Sequence, residues 1–264
     1  MFLVAVKQNL YSVKIATIRN LMARTSQQTR TIRPAAAGRK KAKPVAERPA
    51  SRGRRPAAET PYHHGDLHDA LLGAAERVLE RDGLTGLTLR AVAREAGVSH
   101  AAPTHHFGDL TGLLSELAAI GFRRFNAAMI AARNSETHPL MKGLANAKAY
   151  VAYAQASPGM YGLMFRTERI DMTRPSLHEA ATASFAGLAS AVGAGRNEKL
   201  TGEALSLDQA AAIARAWSLV HGFTMLLLDG RLKDILHRLP EATGVDQLLD
   251  AMLRSTVPRP PGAN

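Results

Sequence analysis

The sequence predicts an all-α protein of about nine helices, a three-helix helix-turn-helix unit followed by a larger helical bundle. Three observations carry that reading. From Asp66 onward apolar residues recur at helical spacing; no window alternates β-branched residues as a strand does; and Thr88, Asp109 and Ser206 stand as N-caps before apolar runs.

Leu67, Leu71, Ala75 and Val78 form the first stripe, which predicts a helix stopping at Gly83 in a left-handed C-terminal cap. Thr88 opens a second, shorter helix that buries Leu89, Val92 and Ala96. Gly97-Val98-Ser99 follows, with glycine supplying a sharp turn, Val98 plugging the corner and Ser99 capping a third helix that runs to His106. Pro103 falls in its first turn, where a missing N–H is tolerated. Asp109 caps a long helix with a stripe of Leu110, Leu113, Leu114, Leu117, Gly121 and Phe125. Pro139, Pro158 and Pro175 each open a further helix, the last ending near Gly193. Ser206 and Gln209 make a capping box before Ala210 to Leu228, and the final helix covers Val245 to Thr256.

The chain has 264 residues and no cysteine, which excludes disulfide frameworks, thiolate metal sites and cysteine nucleophiles. Its formal net charge is +12, and the distribution is uneven. Residues 1–60 hold 14 of the 34 Lys and Arg but only Glu47 and Glu59 of the 22 acids, so the remaining 204 residues are neutral overall. Such asymmetry points to a polyanionic partner. Residues 26–60 mix Pro, Ala, Gly and cations with few large apolar side chains, a composition that does not fold alone. The stretch before Met22 reads as an amphipathic helix, a targeting segment, or residues upstream of a start at Met22; it is too short to span a membrane. Arg52, Arg54 and Arg55 lie in Arg-Gly-Arg-Arg-Pro, one residue from an AT-hook core, and suit an arm in the minor groove as well as a solvated tail.

The run from Thr88 to Ser99, followed by His105-His106-Phe107 and Asp109 to Leu114, resembles the TetR family of transcriptional regulators. Trp217-Ser218-Leu219-Val220-His221-Gly222 and Pro158 to Phe165 are similar to that family's WHG-type C-terminal domain. The resemblance implies a non-enzymatic, homodimeric, ligand-responsive repressor that binds a palindromic operator on double-stranded DNA in the bacterial cytoplasm, associated with the nucleoid. It also implies a domain plan: residues 1–61 a basic extension, 62–119 the DNA-binding unit, 120–256 the effector-binding and dimerisation unit, and 257–264 a tail. The last two long helices would form the dimer interface. Two positions depart from the pattern, Thr104 where an aromatic is usual and Leu110 where a lysine is usual.

The candidate DNA-contacting residues are Thr88, Arg90, Ser99, His100, Ala101, Ala102, Thr104, His105 and His106, together with the arm arginines. Methyl groups suit thymine, and imidazole donates to purine edges or phosphate, although each histidine reads equally as a surface or packed side chain. Residues 62–112 carry Arg77, Arg81, Arg90 and Arg94 against seven acids, so the unit lacks the cations that phosphate neutralisation requires. The alternative function is nonspecific nucleic-acid binding driven by the tail.

Tyr150, Tyr153, Met160, Tyr161, Met164, Phe165, Phe185, Trp217, His221 and Met225 read either as core or as the lining of a cavity for a small apolar effector. No cofactor is implied. His64 and His68 have the i, i+4 spacing of a metal pair without a third ligand, so no metal site is expected. Gly193-Ala194-Gly195 is a helix stop and not a phosphate loop, and no nucleophile–base pair stands at a catalytic spacing.

Overall fold

The computed structural model describes residues 64–201, 204–241 and 243–255, with side chains from Leu67 onward. Among the described residues there are ten helices and no strand: α1 (His64–Gly86), α2 (Leu89–Ala96), α3 (Ala102–Phe107), α4 (Leu110–Asn134), α5 (Pro139–Ala156), α6 (Pro158–Met164), α7 (Pro175–Arg196), α8 (Leu207–Leu228), α9 (Lys233–Leu236) and α10 (Val245–Ser255). The basic extension and its Arg52, Arg54 and Arg55 lie outside the described residues, as do residues 257–264 and the His64 side chain.

The anticipated caps form as hydrogen bonds. Thr88 Oγ1 accepts from the Ala91 N–H at 3.1 Å, and Asp109 Oδ1 accepts from the Gly112 N–H at 2.7 Å. Ser206 and Gln209 satisfy one another's backbone N–H groups, which closes the capping box at the start of α8.

Three boundaries differ from expectation, each for a local reason. Gly83 does leave helical geometry, but at φ 68°, ψ −176°, after which a further turn continues to Gly86. Ser99 does not cap α3 through its side chain; its carbonyl accepts from the Ala102 N–H at 3.0 Å, and Ala101 occupies the cap. Helix α7 runs through Gly193 and Gly195 to Arg196, because Asn197 takes the left-handed conformation at φ 55° that the glycine was expected to supply. The short α9 has too few apolar positions to leave a periodic signal.

Helix α4 is the spine. It packs against α5, α6 and α7, and also against α1 and α3. One continuous apolar core runs from Leu71 and Val78 of α1 through Leu114 and Leu117 of α4 to Tyr161, Leu177 and Leu249. That core crosses the expected boundary at residues 119 and 120, which falls inside α4. Arg124 of α4 adds a bidentate ion pair with Glu76 of α1, with Nη2 to Oε2 at 3.1 Å. A second, small cluster holds Ala189, Leu200 and Ile213 between α7 and α8.

Helix α8 is long and apolar enough to cross a membrane by length and composition, with a mean hydropathy of 1.4 and only 28% of that window buried. Its Leu207, Met225 and Leu226 are exposed.

Phe107, the last residue of α3, is 3% exposed within the core. Phe107→Ala is therefore expected to lower the unfolding free energy by about 3–5 kcal/mol, the usual cost of emptying a phenylalanine site. A urea titration that shows a loss below about 1 kcal/mol would mean Phe107 does not anchor α3.

Candidate functional site

The first three helices pack around a tight turn between α2 and α3. Gly97 ends α2 in the left-handed region at φ 69°, ψ 28°, and the Val98 N–H donates back to the Ala93 carbonyl at 3.0 Å. A side chain is strained in that backbone conformation, so glycine fixes the turn. A six-residue helix is too short to persist alone. Pro103 and Phe107 hold α3 by facing inward and being buried, and the Phe107 ring lies 5.0 Å from His68 of α1.

The opposite face of the turn and α3 is open. Ser99, His100, Ala101, Thr104 and His105 are exposed, whereas Ala102 and His106 are half-buried. His106 stands edge-on to His105 at 5.6 Å and to His68 at 6.1 Å. Thr88 and Arg90 are exposed at the start of α2, with Thr88 engaged as its cap. Ser99 to His106 thus lie together on the turn and α3, and Thr88 and Arg90 lie at the start of α2.

Electrostatics stiffen the corner from behind. Glu95 of α2 accepts from Arg77 Nε and from Arg81 Nη1 of α1, each at 2.9 Å. These hydrogen bonds, Arg77 first, hold the Glu95 carboxyl below its ordinary range. Arg77 and Arg81 thus serve the α1–α2 junction, while Arg90 and Arg94 are exposed.

A second constellation lies in the C-terminal half. His221 of α8 places Nδ1 2.7 Å from the Tyr161 hydroxyl and 2.9 Å from the Tyr150 hydroxyl, and Tyr161 donates to Tyr150 at 3.1 Å. Either ring tautomer finds a partner there, because a hydroxyl both donates and accepts. Phe165 and Trp217 flank the imidazole at 4.8 and 6.3 Å, and Phe125 meets Tyr150 edge-on at 5.0 Å. Tyr153 donates instead to the Gly121 carbonyl at 3.0 Å, and burial pushes its hydroxyl pKa up to about 12. Met160 and Met164 pack over Gly121.

The family model for bacterial regulatory proteins of the tetR family matches residues 71–117, and a tetracyclin repressor-like C-terminal domain model matches residues 144–256. A solved structure of a protein with unknown function from Rhodococcus sp. RHA1 is 35% identical, covering 75% of this chain and 98% of that chain at a TM-score of 0.60. The chain belongs to the TetR family.

Fold similarity extends to a Shewanella sp. PV-4 protein provisionally described as a TetR family transcription regulator, at 18% identity, 70% of this chain, 95% of that chain and a TM-score of 0.50. No curated protein matches the sequence. TetR family regulators are non-enzymatic DNA-binding transcription factors, and this chain is one.

Within this TetR family chain the anticipated effector residues divide. Tyr150, Met160, Tyr161, Met164, Phe165, Trp217 and His221 converge on α5, α6 and α8, with Tyr153 alongside. Phe185 belongs to the separate small cluster between α7 and α8, and Met225 is exposed, so neither joins them. The hydrogen bonds among Tyr150, Tyr161 and His221 join residues 11 to 71 positions apart, which local spacing does not reveal. Glu95 has no local sequence signal: Arg77 and Arg81 stand one turn apart on α1 and meet it only once α1 and α2 are packed. Among the described residues, no three His, Asp or Glu gather as a metal site.

Burial lowers the His221 pKa from its ordinary 6.5 and raises those of Tyr150 and Tyr161. As pH falls, the unfolded chain takes up the imidazole proton first, so stability declines through and below pH 6.5 and is unaffected above it. His221→Gln keeps a hydrogen-bonding side chain that does not titrate. The loss in Tm between pH 7.5 and pH 5.5 is expected to be smaller in that variant than in the wild type, and equal losses would contradict the assignment.

Proposed function

We propose that this TetR family regulator is a homodimeric, ligand-responsive repressor that reads an inverted-repeat operator through α3. The observation that carries the reading is the exposed row of Ser99, His100 and Ala101 in the turn and Thr104 and His105 in α3, a helix whose other side is pinned by Pro103 and Phe107. Small side chains allow close approach, the Thr104 and alanine methyls suit thymine, and the imidazoles donate to purine edges. Phosphate anchoring falls to Arg90 and to the arm carrying Arg52, Arg54 and Arg55. The charge of residues 1–60 supports this division, since the helix-turn-helix region is net acidic.

TetR family proteins typically act as dimers, and a two-fold pair of reading helices suits a palindrome. The exposed Met225 and Leu226 of the apolar α8 support its use, with α10, as the contact between copies. Residues 62–119 serve DNA binding, 120–256 serve effector binding and dimerisation, and 1–61 and 257–264 are appendages. The Tyr150, Tyr161 and His221 cluster, ringed by aromatics, is the place for a small apolar effector. Such a molecule acts by binding one dimer arrangement better than the other. The site of action is the nucleoid in the cytoplasm.

Thr104→Ala or His105→Ala is expected to weaken a duplex selected by the wild-type chain by about tenfold, with little change on random duplex. Arg54→Ala with Arg55→Ala is expected to weaken both, and to flatten the slope of log K against log salt. The reverse pattern would exchange the two roles, whereas affinity that ignores sequence in the wild type would favour tail-driven binding. Leu226→Glu is expected to shift the chain toward monomer in sedimentation; an unchanged dimer would remove α8 from the interface.

A further inference from the structure

We propose that Arg174, at the N-cap of α7, is a positioning residue that holds the recognition helix by its terminal carbonyl and so ties DNA reading directly to the C-terminal half. The inference rests on the reading of α3 as the DNA-contacting helix. Arg174 Nη2 donates to the Phe107 carbonyl at 3.2 Å across 67 residues of sequence. Phe107 is the last residue of α3, so the bond grips the end of the helix by its backbone.

Two independent features show that the surroundings are built for this bond. The first is Gly112, in the opening turn of α4. A Cβ there would lie 2.0 Å from the Phe107 carbonyl oxygen and 2.5 Å from Arg174 Nη2, so only a residue without a side chain lets the guanidinium reach its acceptor. The second is the fastening of the segment that delivers Arg174. Ser115 Oγ, fully buried, accepts from the Asp171 N–H at 2.9 Å while donating to the Thr111 carbonyl at 2.6 Å. Ser176 Oγ donates to Glu116 at 2.8 Å, and Ile170 and Leu177 are buried on either side.

The segment is therefore fastened on both sides of Arg174, whose side chain reaches from it to the Phe107 carbonyl. Helix α7 continues along α4 and α5 to α8. A small displacement of the start of α7 against α4 stretches a bond already at 3.2 Å, and hydrogen bonds weaken steeply with such changes. The end of α3 is released while the α1–α2 junction through Glu95 stays intact. Arg174 thereby governs the orientation of the reading face and not its composition.

The test uses the full chain and the duplex that the wild type selects from a random-sequence pool. Arg174→Gln is expected to reduce affinity for that duplex about tenfold, leave affinity for random duplex within about twofold, and speed amide exchange over residues 102–112. Gly112→Ala, which wedges apart the same two partners, is expected to give the same pattern, and the double variant no further loss in the affinity ratio. Should one variant fail to fold, the other supplies the same readings. An unchanged ratio with unchanged exchange overturns the proposal, as does an equal loss on both duplexes. If the wild type selects no duplex, the DNA reading fails on its own, and the exchange measurement still decides whether Arg174 holds α3.

Discussion

The six-residue helix α3 cannot hold itself in place, and most of the fold around it follows from that constraint. Pro103 and Phe107 are its two inward anchors, and they require a pocket. Helices α1, α2 and α4 supply one, with Gly97 setting the corner and the Arg77 and Arg81 pairs to Glu95 preventing α1 and α2 from sliding. The hydrophobic term holds the assembly together, and the ion pairs, being largely exposed, contribute orientation more than stability.

The same use of arginines explains the charge distribution of the whole chain. Two of the four arginines near the helix-turn-helix are engaged at its back, leaving Arg90 and Arg94 exposed among seven acids. In the proposed function such a surface would discriminate through fit while attracting polyanions weakly. Residues 1–60 carry the positive charge that this surface lacks. Under the proposed function a reading helix and a cationic arm divide the work, which fits a body of neutral net charge attached to a strongly basic segment.

Much of this was legible in the sequence because the signals are local. Thr88, Asp109 and the pair Ser206 and Gln209 announce helix starts within three residues, and the apolar stripe of α4 announces its buried face. Where reading failed, a neighbour took over the expected role: Asn197 supplied the left-handed stop expected of Gly193, and Ala101 occupied the cap expected of Ser99. Pairings over long separations left no local trace. His221 meets Tyr150 from 71 positions away, and Arg174 meets Phe107 from 67. Gly112 left no such trace either, since Gly143 near the start of α5 has open space around it and the close approach at Gly112 is visible only once α4 and α7 are packed.

The account stands or falls on α3 as a sequence reader. Sequencing of genomic fragments captured by the purified chain at near-physiological salt, with and without residues 1–61, tests it most directly. An inverted-repeat motif recovered by both forms, more weakly by the shortened one, is the predicted result. Uniform recovery that disappears with the extension would contradict it, leaving an electrostatic coat whose helix-turn-helix has no part in choosing its sites.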